Sequence, residues 1–121
     1  MKILLSTVLL AMIPLGSLAA GERFACDMKA LTKTDREAYQ KLSRTLFAAV
    51  QEKRELPNGY SFRLPPGTLL TVAKWVEFER KCCPFFTFDV EVARDNGPLW
   101  LRVTGSDGVK PFMRAEFQLD S

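Results

Sequence analysis

Histidine is absent from the 121 residues. Its absence removes Ser-His-Asp and Cys-His hydrolases, His-ligated zinc and copper centres and a histidine pH switch. A glycine-rich phosphate loop is also missing. Gly105-Ser106-Asp107-Gly108 comes nearest and reads as a strand-to-helix turn. There is no internal repeat and no low-complexity tract. An excess of charge of one sign is lacking as well: 17 basic residues stand against 14 acidic ones, and the signs alternate, as in Glu52-Lys53-Arg54-Glu55. Nucleic acid would require a basic stripe, and charge-driven binding to a membrane surface a basic amphipathic face; neither partner is expected. Asp89, Glu91, Asp95 and Asp107 could be imagined as a glycosidase pair, but nothing fixes their separation, and they read as surface carboxylates. Cysteine is scarce, with three residues, and an odd number allows at most one internal bridge.

What the chain does have begins with an apolar leader. Lys2 is followed by Ile3 to Ala20, an apolar run interrupted by Pro14 and Gly16 and closed by Ser17-Leu18-Ala19-Ala20. A basic start, an apolar centre and small terminal residues describe a secretory signal peptide over residues 1–20. The run is marginal for spanning about 30 Å of hydrocarbon, so no stable membrane insertion is expected after cleavage. The implied location is periplasmic or secreted. Residues 21–121 then form one domain of about a hundred residues with a single modest core. Without Lys2 the 17 basic residues become 16 against 14 acidic ones, a net charge of +2.

The hydrophobic pattern predicts a helix first. Thr34-Asp35-Arg36-Glu37 has the form of a capping box, and Tyr39, Leu42, Leu46, Phe47 and Val50 recur at helical spacing to about Arg54. Leu56-Pro57-Asn58-Gly59 is turn chemistry, and Tyr60 to Leu64 alternates as a strand. Pro65-Pro66-Gly67 hands over to a second helix that must end near Cys83, because Pro84 disfavours helical geometry in the residue before it. Phe86, Phe88, Val90 and Val92 alternate with polar residues, then Leu99, Leu101 and Val103 do the same after the turn Arg94 to Pro98, which predicts an antiparallel hairpin. A short helix from about Val109 carries Phe112, Met113 and Phe117. The expected fold is α+β, in the order α-β-α-β-β-α: a three-stranded, mainly antiparallel sheet of split β-α-β type plus hairpin, the last hairpin strand in the middle and helices on one face.

Thr68 to Phe88 is the stretch with chemistry. Wound at about 3.6 residues per turn, Leu69, Val72, Trp75, Val76 and Cys83 share one face, while Lys74, Glu77 and Lys81 point away. Glu79 breaks this pattern. It lies inside the apolar stripe, four residues after Trp75, three before Cys82 and four before Cys83, where side chains one turn apart meet. The pair sits at a helix C-terminus, whose dipole disfavours a thiolate, whereas Arg80 and Lys81 favour one. Export permits a disulfide, so Cys26 is expected either to staple to one of the pair or to join Cys82 and Cys83 as thiolates on a soft ion such as Hg(II), Cu(I) or As(III). Glu79 would then serve as fourth ligand, proton acceptor or hydrogen-bond partner. No Cys-x-x-Cys at a helix start is present, and catalysis is not the expected role.

Glu79-Arg80-Lys81-Cys82-Cys83-Pro84-Phe85-Phe86-Thr87-Phe88, with Cys26 upstream, Leu56 to Leu64 between, and Leu99 to Gly105 after it, resembles a bacterial family that carries Glu-x-x-Cys-Cys-Pro-Phe. Its members are small stand-alone proteins or tails on MerR-type regulators, some of them similar to neighbours of heavy-metal resistance systems. The similarity covers nearly all of the chain after the leader. By association it implies a soft-metal role, with Cys26, Glu79, Cys82 and Cys83 as the matching positions. The apparent leader departs from that pattern and argues against an intracellular regulator.

Overall fold

The computed structural model describes residues 24–119; the expected leader, residues 1–20, lies outside them. Seven elements follow in order: α1 (Lys33–Ala48), β1 (Glu52–Leu56), β2 (Gly59–Leu64), α2 (Leu69–Cys82), β3 (Thr87–Val92), β4 (Leu99–Thr104) and α3 (Val109–Glu116). Short 3-10 turns at Met28–Ala30 and Pro66–Thr68 precede α1 and α2.

The sheet has four strands in the order β1-β2-β4-β3, each neighbouring pair antiparallel. This corrects the expectation of three strands, although the α+β class stands. The added strand is β1, Glu-Lys-Arg-Glu-Leu, which pairs with β2 through the two-residue turn Pro57-Asn58. Its side chains are exposed or half-buried throughout, as suits a charged edge strand. With no buried face it carries no alternation of apolar residues, and it reads as the tail of the preceding helix. That helix ends at Ala48 rather than near Arg54. It also begins earlier than the capping box suggests. Thr32 is the cap, its hydroxyl accepting from the Asp35 backbone N–H at 3.1 Å.

Within the sheet β4 lies between β2 and β3, so these two flanking strands run parallel to each other, as the split arrangement requires. Leu99, Leu101 and Val103 of β4 and Tyr60, Phe62 and Leu64 of β2 face the helices and are buried. Trp75, fully buried on α2, sits at the centre of the core. It packs edge-on against Phe47 of α1 and Phe88 of β3, and its indole N–H donates to the Ser43 hydroxyl at 3.0 Å. From α3, Arg114 donates to the Tyr60 hydroxyl at 3.1 Å. The far face of the sheet stays open, with Arg54 stacked over the Trp100 ring at 4.4 Å and Arg102 paired with Glu91. Val90 and Val92, expected on a dry face, are 40% and 56% exposed, because β3 is an edge strand whose outer half is not covered by the helical layer.

Candidate functional site

The site forms where α2 ends. Val72, Trp75, Phe78, Glu79 and Cys82 make up the buried face of α2. Cys82 is the last helical residue, and Cys83 leaves helical geometry at φ −126° and ψ 67°, in keeping with the following Pro84, which disfavours the helical region in the residue before it. This break turns two adjacent cysteines to different uses. Cys83 is joined to Cys26 in a disulfide, Cα–Cα 4.8 Å, across 57 positions of sequence, and Cys82 remains a free thiol.

Cys26 is delivered by the segment before α1, which is fastened independently of the bridge. The Asp27 backbone N–H donates to the Cys82 carbonyl oxygen at 2.7 Å. Phe24 packs against Phe85 and Phe112. The Arg36 guanidinium donates to the Leu31 carbonyl at 3.2 Å. The lead-in therefore lies over the C-terminal end of α2 by aromatic packing and hydrogen bonds as well as by a covalent link.

The expected residues converge. One ligand atom from each of Cys26, Glu79, Cys82 and Cys83 lies within 4.8 Å of every other. Glu79, Cys82 and Cys83 are fully buried, and Cys26 is partly exposed. Glu79 has a partner that the sequence reading places only in the core stripe: the Tyr39 hydroxyl donates to Glu79 Oε1. The signal for it was a tyrosine, with a polar tip, inside the apolar face of an amphipathic helix. Glu79 Oε2 has no hydrogen-bond partner among the described residues.

Burial governs the electrostatics. It pushes the Glu79 carboxyl up to about 7, against the opposing hydrogen bond from Tyr39 and with the Glu116 carboxylate adding a little. Burial, then the charge of Glu79, pushes the Cys82 thiol up to about 12. The Tyr39 phenol is raised by the same two causes. The balance between helix dipole and basic residues at the end of α2 is thus settled by desolvation. At neutral pH Cys82 is a protonated thiol donating to the Phe78 carbonyl at 3.4 Å, and a thiol in that state is a poor nucleophile.

Beside this centre lies a cleft of about 500 Å³ lined by Met28, Tyr39, Ser43, Phe47, Glu116 and Phe117, among others. Tyr39 belongs to both places, its ring in the cleft wall and its hydroxyl on Glu79. Compared with protein-family models, curated proteins and solved structures, the chain matches none.

Proposed function

We propose that this chain is an exported, non-catalytic structural or interaction domain, held in its working form by the Cys26–Cys83 disulfide. The observation that carries the reading is the bridge itself, which ties the N-terminal lead-in to the end of the central helix over 57 positions. A leader of the Met1 to Ala20 pattern would bring the domain to a compartment where such a bridge persists. The buried, protonated Cys82 and the buried Glu79 offer no accessible nucleophile, which supports a role outside catalysis. Closing a loop of this length removes about 4 kcal/mol of chain entropy from the unfolded state. The double substitution Cys26→Ser and Cys83→Ser is therefore expected to lower unfolding stability by about that amount in urea titration. Unchanged stability would remove the staple from the account.

A second reading is favoured by one specific observation, the convergence of three sulfurs and a carboxylate within 4.8 Å. On this reading the same residues, reduced, capture a soft metal or metalloid ion. The carboxylate oxygen left without a partner on Glu79 supports it, since buried polar atoms ordinarily have one.

A further inference from the structure

We infer that the reduced form of this domain captures a trivalent, hydroxide-bearing metalloid of the arsenite class as a three-sulfur adduct of Cys26, Cys82 and Cys83, and that the Cys26–Cys83 disulfide is the lock that closes this site. The inference rests on the second of the two functional readings and assigns it an ion class and a control.

Geometry supplies the three sulfurs. Cys82 ends α2 and Cys83 has left helical geometry, so the two thiols are not held about 100° apart around the axis as neighbours within a regular helix would be. The third sulfur stays in place when the bridge opens. The Asp27 N–H on the Cys82 carbonyl and the packing of Phe24 on Phe85 and Phe112 hold Cys26 there without the covalent link. Cys26 is also the partly exposed member of the set, which gives an arriving solute one sulfur to meet first.

Burial selects the ion. Glu79, Cys82 and Cys83 are fully buried, and a buried site is costly for any uncompensated charge. Three thiolates around a monovalent ion would leave two net negative charges, and around a divalent ion one. Around a trivalent centre they leave none. Thiolates being soft ligands, the neutral combination is a thiophilic trivalent metalloid. Glu79, whose second oxygen has no partner among the described residues, is placed to accept a hydrogen bond from a thiol or from departing water.

The steps balance. A dithiol reductant transfers two electrons and two protons to the bridge, so that the Cys26–Cys83 S–S bond breaks, two thiols form and the reductant leaves as its own disulfide. The trihydroxide then condenses with three thiols: three metalloid–sulfur bonds form, three metalloid–oxygen bonds break and three waters leave. No electron changes hands in this second step, and no net proton is released.

The test reduces the purified protein with a phosphine, removes the phosphine without air, and titrates with sodium arsenite. Native mass spectrometry, thiol titration and near-ultraviolet circular dichroism of the buried Trp75 are read together. The expected result is one arsenic per chain, loss of all three titratable thiols and an unchanged Trp75 signal, with no uptake by the oxidised protein and no such adduct in Cys82→Ser. The inference is overturned if the reduced, folded chain takes up no arsenite, if Cys82→Ser binds as the parent does, or if uptake occurs only when the Trp75 signal is lost. Binding of Cu(I) or Hg(II) without arsenite overturns it too. None of these failures touches the staple, which is read from the thiol count of protein never exposed to reductant.

Discussion

Glu79 is the residue on which the interior of this domain turns. A fully buried carboxyl with one hydrogen-bond donor and one unpartnered oxygen is more easily kept neutral than charged. Its folded-state pKa of about 7 lies above the ordinary 4.5, so the folded protein binds the proton more tightly than the unfolded chain does. Stability from this source is complete below about pH 4.5 and is lost as pH rises through about 7. The full difference is about 3 kcal/mol. Urea unfolding between about pH 4 and 8 should show that decline in the parent protein, and Glu79→Gln should flatten it; equal slopes in both would take Glu79 out of the account. In the sequence Glu79 was conspicuous, a charge inside an apolar stripe. Its partner was not: a tyrosine in the apolar face of α1 signals that a polar tip needs a partner, but local periodicity does not show which one across 40 positions.

Among the elements, those with one wet and one dry face were legible and those without were not. The alternation in Leu99 to Thr104 placed β4, and Pro84 placed the end of α2. β1 failed this test because its burial is shallow on both faces, and only the turn Pro57-Asn58 hinted that a hairpin closed there. The start of α1 shows a different limit. Thr32 and Thr34 both precede acidic residues by three positions, Thr32-Lys33-Thr34-Asp35 and Thr34-Asp35-Arg36-Glu37, and local chemistry alone favours the second, where the acid is glutamate. The first wins in the folded chain, where Leu31, just before the cap, is buried in the core. Thr32→Ala should therefore cost about 1 kcal/mol, while Thr34→Ala, inside the first turn, should cost little. Urea midpoints of the two variants measure the difference, and a reversed order would shift the cap back to Thr34.

At the scale of the whole molecule, the lead-in, α1 and α2 converge on one end of the helical layer, and the disulfide binds the first of them to the last. The class of fold, the position of the central strand and the four residues of the centre could all be read from the chain. Which cysteine pairs with Cys26 could not, since adjacent residues are equivalent in spacing and differ only in the backbone geometry that Pro84 imposes on Cys83. That choice decides everything built on the site. The most direct measurement is peptide mapping and free-thiol counting by mass spectrometry on protein purified without reductant. The account predicts a mass two hydrogens below the reduced chain, a Cys26–Cys83 linked peptide pair and one free thiol at Cys82. Three free thiols, or a bridge that includes Cys82, would contradict it.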